Sequence, residues 1–264
     1  MVSRDAASLL RSLYWLLVMD VGAINRELEP LVSASSPGNG SVKIGAGGWA
    51  YLPLQEEDRL RAYSGLFDYV EVNTTFYHMP RLSTVRSWRR RVSFGFTFSV
   101  KCNRKATHEL GLTPAEETFQ VLERMRMTLR LLRSEMLVLQ TPPSLAVDER
   151  KVREVAALLS CAGLGGTQVF WEVRAPNSRE RVKAVRAEML REGLLPVVDL
   201  ARESPVPGSP VAYSRMFGAS AYDVDLLSKI YQRVSGWRGD VAVLTFHGGN
   251  MYVDALRYKR LFSN

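Results

Sequence analysis

From residue 42 onward, short apolar runs alternate with longer stretches whose apolar residues recur at helical spacing. The short runs read as eight strands: VKIGAGGW (42–49), YVEVNTTFY (69–77), FTFSVK (96–101), EMLVLQTPP (135–143), QVFWEVR (168–174), LLPVVDL (194–200), VAYSRMFG (211–218) and DVAVLTFHGG (240–249). The longer stretches read as helices over 56–67, 82–92, 113–132, 147–163, 178–193, 222–234 and 251–262. Ser83 is a candidate cap for the second helix. Thr113, with Pro114 behind it, is the expected start of the third, and Gly163 and Gly193 stop two others. The connection after the sixth strand, ARESPVPGSP, holds too many prolines for a full helix. Strict βα alternation implies a parallel sheet, and eight such units predict a TIM-type (β/α)8 barrel with the helix after strand 6 missing or shortened. A doubly wound dinucleotide fold is rejected. The run GAGGW puts Ala50 where the sixth-position glycine of that fingerprint belongs, and no acidic residue closes the second strand.

Both faces of a barrel strand are buried, one against helices and one in the barrel interior. In the second strand, Val70, Val72 and Phe76 oppose Glu71, Asn73, Thr75 and Tyr77. In the third, Phe96, Phe98 and Val100 oppose Thr97, Ser99 and Lys101. Leu137 and Leu139 oppose Val138 and Gln140 in the fourth; Trp171 and Val173 oppose Phe170, Glu172 and Arg174 in the fifth. Asp199 follows Val197 in phase, Tyr213 shares a phase with Arg215 and Phe217, and Thr245 with His247. Polar residues thus gather toward the C-terminal ends of the strands, where barrel enzymes carry their sites. Buried charges are costly unless paired, and this set holds both signs. A salt-bridge network that only fills the barrel is the bland alternative.

The totals narrow this picture. The chain has 264 residues, 46% of them hydrophobic, enough for one large core with no Ser- or Gly-rich linker in its middle. The expected organisation is an N-terminal extension over 1–41 and a barrel over 42–264. Leu9, Leu10, Leu13, Leu16 and Leu17 fall at helical spacing, and SASSPGNGS (33–41) reads as a flexible linker. The apolar run there is far shorter than the roughly 20 residues of a membrane span. Two cysteines without CxxC spacing suit a reduced, cytoplasmic protein, with Cys102 a plain small residue rather than a nucleophile. The net charge of +8, carried by 28 Arg and 7 Lys, favours anionic partners: a small anionic substrate or nucleic acid. The densest run, RSWRRRV (86–92), fits an amphipathic helix with Trp88 inward and Arg89 to Arg91 outward.

Six segments carry a resemblance: IGAGGWAY (44–51), FDYVEVNTTFYHMP (67–80), FTFSVKCNRKATH (96–108), LVLQTPPS (137–144), FWEVR (170–174) and VVDL (197–200). Over residues 42–262 the chain resembles the domain-of-unknown-function family 72, the YecE-like proteins. The resemblance implies a TIM barrel, with architectural likeness to endonuclease IV-like and sugar-isomerase barrels. Two places depart from the family pattern. The seventh strand, YSRMFG, has Phe217 where the family has histidine, and the eighth, FHGGN, has glycines and His247 in place of paired asparagines.

Three histidines, His78, His108 and His247, are too few for the dense ligand set of a multi-zinc nuclease. A single Mg or Mn ion on Glu71, Glu172 and Asp199 stays open, since hard cations take carboxylates. A metal-free acid–base enzyme suits the residues better. Lys101, Arg174 and Arg215 would hold a phosphate or carboxylate. Glu71 or Glu172 would be the general base, with His108 or His247 as proton partner. Trp49, Asn73, Tyr77, Gln140 and Asp199 would complete the substrate pocket. Lys101 as a Schiff-base nucleophile is a variant of the same site. The alternative is a non-catalytic nucleic-acid-binding protein, its bases stacked on Trp49, Tyr51, Phe76, Tyr77 and Trp171 within a basic rim.

Overall fold

The computed structural model describes residues 41–53, 58–174 and 179–262 of the chain, with backbone only at 179 and 180. The helix expected over 8–20, and all of the 33–41 linker except Ser41, lie outside the described residues. Eight strands are present: β1 (Ser41–Ala46), β2 (Tyr69–Val72), β3 (Thr97–Lys101), β4 (Met136–Thr141), β5 (Gln168–Val173), β6 (Leu194–Val198), β7 (Val211–Phe217) and β8 (Val241–His247). They close in sequence order into a barrel. Among the described residues the helices are α1 (Arg59–Leu66), α2 (Thr74–Tyr77), α3 (Leu82–Arg90), α4 (Glu116–Leu132), α5 (Glu149–Cys161), α6 (Arg179–Arg191), α7 (Val224–Ser235) and α8 (Met251–Phe262), with a π-helical turn at Lys105–Glu109. No helix stands between β6 and β7, as the prolines there predict. Among the described residues no helix is long and apolar enough to cross a membrane.

The chain divides into two compact units, one running to Phe67 and resuming at Val198, the other Asp68–Val197. In the first, β1 pairs with β8 and β8 with β7, in register Lys43↔Val243↔Tyr213 and Gly45↔Thr245↔Arg215. Its core is aromatic: Tyr63, Phe67, Tyr213, Phe246, Tyr252 and Tyr258 are fully buried. The Tyr63 hydroxyl accepts the Ala46 N–H at 2.7 Å, which fastens α1 to the end of β1. In the second unit β2 to β6 pair in series. Phe98, Phe170, Trp171 and Leu112 fill its core. Trp171 and Val173 face Val185 and Met189 of α6, the helix-side phase expected of them.

Several expected boundaries move. β1 ends at Ala46, so Trp49 belongs to the loop beyond it. α4 begins at Glu116 rather than at Thr113. The Thr113 hydroxyl donates to Leu110 O at 2.8 Å and closes the preceding turn, while Glu116 and Glu117 sit in the first turn of α4, where acidic side chains suit the helix dipole. Ser83 lies inside α3, whose cap position is Arg81. Trp88 is buried as expected, but Arg89 does not splay outward: it donates to the carbonyls of Phe96 at 2.8 Å and of Ser93.

The largest correction concerns β2. The strand stops at Val72 instead of running to Tyr77, and Asn73 takes helical backbone angles (φ −84°, ψ −21°). The Thr75 hydroxyl lies 2.9 Å from Val72 O and 2.7 Å from Lys101 O, and Asn103 Nδ2 donates to Thr75 O at 2.8 Å. These side-chain bonds satisfy carbonyls that a longer ladder would otherwise use. The expected alternation of Asn73, Thr75 and Tyr77 behind Glu71 therefore fails. Thr75 is buried as a structural tie, and Tyr77 is 70% exposed.

Candidate functional site

Paired residues in a parallel ladder project to the same face of the sheet. In the second unit the register couples Glu71 to Ser99, Lys101 to Val138, and Gln140 to Glu172. Ser99 and Lys101 are two apart on β3, as are Val138 and Gln140 on β4. One face of four adjacent strands therefore carries Glu71, Ser99, Lys101, Gln140 and Glu172, ascending toward the C-terminal ends. Arg174 follows one residue past β5. Glu71 is fully buried and Lys101 is 6% exposed, so both side chains are held inside the protein.

Glu172 is fixed from both sides. Gln140 Nε2 donates to its Oε2 at 3.1 Å, and Arg174 Nε reaches its Oε1 at 2.5 Å. The Lys101 ammonium stands 3.9 Å from the centroid of the Phe76 ring. That ring in turn meets His108 edge-on at 5.1 Å and Tyr77 at 5.0 Å. Phe76, read from the sequence as a helix-facing residue, is thus the hinge of the site. Its reassignment follows from the early end of β2, which breaks the two-residue period.

His108 rides on the π-helical turn, an irregularity often found at functional sites. Its Nδ1 is 2.8 Å from the Thr107 hydroxyl. Burial, and then the positive charges of Lys101, Arg104 and Arg174, hold the imidazole pKa below its ordinary value, with Glu109 pulling weakly the other way. The turn ends in two consecutive left-handed residues, Gly111 (φ +56°) and the fully buried Leu112 (φ +52°). Lys151 of α5 donates to Leu112 O at 3.1 Å and pins that end. Asn103 starts the loop, accepting the Lys105 N–H at 3.0 Å. Asn103, Thr107 and Lys151 escaped the sequence reading because nothing in their local pattern marks them; only the folded loop does. Cys102, buried beside Lys101, has its thiol pushed up to about 12 by burial and is no nucleophile.

The first unit carries a separate group at the ends of β7 and β8. Arg215 is 3% exposed, and its guanidinium lies 5.2 Å from the centroid of Phe217. Phe217, the register partner of His247, stacks on that imidazole at 4.5 Å with the rings 16° apart. The aromatic residue at this position therefore packs on the histidine of the neighbouring strand. The strands approach so closely just beyond that a Cβ on Gly248 (φ +95°) would lie 2.7 Å from Gly218 O. Asp199 sits just past β6; its Oδ1 accepts the Ala201 N–H at 3.0 Å, and it pairs with Arg202 at 3.3 Å. Trp49 is half-buried. Among the described residues, which include Glu71, Glu172 and Asp199, no three His, Cys, Asp or Glu side chains group so as to hold a metal ion.

Comparison with known proteins bears on the fold and the family. A family model described as "Protein of unknown function DUF72" matches residues 43–263. No curated protein matches the chain. Among solved structures, a DUF72 family protein of Enterococcus faecalis V583 is 15% identical, with a TM-score of 0.65 over 85% of this chain and 98% of that one. A DUF72 family protein of Thermotoga maritima MSB8 is 18% identical, with a TM-score of 0.64 over 85% of this chain and 100% of that one. A xylose isomerase domain protein of Planctomyces limnophilus is 14% identical, with a TM-score of 0.53 over 86% of this chain and 99% of that one. These likenesses show a shared fold.

Proposed function

We propose, on the premise that this chain belongs to the DUF72 family, that it is an acid–base enzyme acting on a small anionic substrate at the C-terminal ends of β2 to β5. The observation that carries this reading is the packing of both Lys101 and His108 on the Phe76 ring, on a strand face whose carboxylate, Glu172, is fixed by Gln140 and Arg174. A substrate phosphate or carboxylate between Lys101 and Arg174 would neutralise the positive charges that add to burial in lowering the His108 pKa. Substrate binding would then raise the His108 pKa and arm it as a general acid. Glu172, oriented by Gln140 and Arg174, is the matching base, and Glu71 on the same strand face is the alternative one. Asn73 and Tyr77 at the rim would orient the substrate, Tyr77 through its exposed ring. The solved relative named as a xylose isomerase domain protein shares only the fold, so the reaction class here rests on the residues.

The nucleic-acid-binding alternative loses two of its five stacking aromatics. Trp171 is 1% exposed and donates its indole N–H to Thr141 Oγ1 at 3.1 Å, and Phe76 lies beneath Lys101. The test is a thermal-shift screen of phosphorylated and carboxylated metabolites, followed by NMR titration of the histidines. A hit is expected to raise the His108 pKa, and Arg174→Ala is expected to abolish that rise. Glu172→Gln should retain binding and lose turnover. The absence of any anion that raises the His108 pKa, or an equal rise in the Arg174→Ala protein, overturns the proposal.

A further inference from the structure

The missing helix after β6 leaves space. A cavity of about 680 Å³ lies between the β6–β7 connection and one face of α7, a volume suited to a small organic ligand. Lys229, Gln232 and Arg233 line it from that helix face, being three and four residues apart. Pro205 and Pro207 line it from the connection, and Trp237 and Arg238 from the residues that follow α7. All these residues belong to the first unit. Trp237 and Arg238 come just before β8 begins at Val241, whereas His247 ends that strand. The cavity is therefore at the N-terminal ends of the strands, away from the Phe217–His247 pair.

Its chemistry is one-sided. Three cations line the cavity, and no carboxylate does among the described residues. Arg233 is held in place by its bond to Leu200 O at 2.5 Å, which leaves the rest of its donor fork for other partners. The Trp237 indole nitrogen is buried and finds no hydrogen-bond acceptor among the described residues. A buried donor without an acceptor is costly and calls for one. The indole ring packs on Gly239, where a Cβ would come within 2.0 Å of it. Cations beside an aromatic and proline wall suit a ligand with an anionic head and a ring-bearing or apolar body.

We infer that this cavity is a second anion site that binds a phosphate monoester, with the phosphate on Lys229, Arg233 and Arg238 and the organic body against Trp237, Pro205 and Pro207. The ester arrives as a nucleotide or as a sugar phosphate, and the two sources are separated by titrating AMP and glucose 6-phosphate in parallel, with inorganic phosphate and adenosine as controls. The protein is the full chain carrying Arg174→Ala, which silences the anion site proposed above, so failure of that reading does not touch this one. Tryptophan emission reports binding. A Trp237→Phe partner identifies the responding ring among the five tryptophans of the chain. One phosphate ester is expected to bind more tightly than inorganic phosphate and to lose at least about tenfold in affinity, measured by calorimetry, in a Lys229→Ala/Arg238→Ala protein, since charge-assisted contacts are lost. The emission change should vanish in Trp237→Phe. Absence of phosphate-ester binding, equal affinity in the Lys229→Ala/Arg238→Ala protein, or adenosine binding as well as AMP overturns the inference.

Discussion

Asp254 is a carboxyl buried inside α8, where it accepts the Tyr222 N–H at 2.9 Å. Burial pushes its pKa up to about 6, against the pull of that N–H and of Arg257. The folded protein thus binds this proton more tightly than the unfolded chain, whose aspartate titrates near about 3.9. The ionised group destabilises the fold fully above about pH 6, and the penalty disappears as the pH falls toward 4. Asp254→Asn keeps an oxygen for the Tyr222 N–H and removes the charge. It should raise stability at pH 8 by up to roughly 3 kcal/mol and change little at pH 4, as read from urea unfolding at the two pH values. The site histidine obeys the same physics with opposite charge: cations and burial disfavour its protonated form.

At the level of elements, the ends matter more than the middles. Gly163 and Gly193 follow α5 and α6 in left-handed conformations (φ +72° and +73°), as their sequence positions predict. After α4 the same conformation is taken by Arg133 (φ +53°), which lies over the exposed Phe94 ring at 5.9 Å and adds its charge beside Arg89. A left-handed arginine is strained by its Cβ. Arg133→Gly should therefore stabilise the protein by about 0.5–1 kcal/mol in thermal or denaturant unfolding, the loss of an exposed cation–π contact being small. The ends of β2 and β3 show the converse. Thr75, Asn103 and the left-handed Leu112 shape the loops that carry Phe76 and His108, and each acts through hydrogen bonds to residues distant in sequence.

At the scale of the whole molecule, β1 opens at Ser41 and immediately pairs with Val241, and the family match begins two residues later. We propose that the barrel folds without the residues before it. A chain starting at Ser41 should keep the circular dichroism spectrum and lie within a few degrees of the full-length melting temperature. A collapse of the cooperative transition would show instead that the extension is part of the fold. Cations also gather in two places that can take an anion: Lys101, Arg104 and Arg174 act on His108, and Lys229, Arg233 and Arg238 line the cavity beside α7.

The eight strands, their parallel order and the absent helix before β7 were all legible in the sequence, because burial on two faces and proline chemistry are local properties of the chain. So was the row of Glu71, Lys101, Gln140 and Glu172, since a period of two needs only strand backbone to hold its phase. The reading failed where the backbone left that period. Asn73 turns helical because Thr75 and Asn103 find carbonyls across β2 and β3, and only the folded chain brings those groups together. For the same reason the contact of Phe76 with Lys101 and His108, the stacking of Phe217 on His247 and the cavity left by the missing helix were decided by tertiary structure. Each depends on strand ends and loops meeting in space, which no periodicity along the chain encodes.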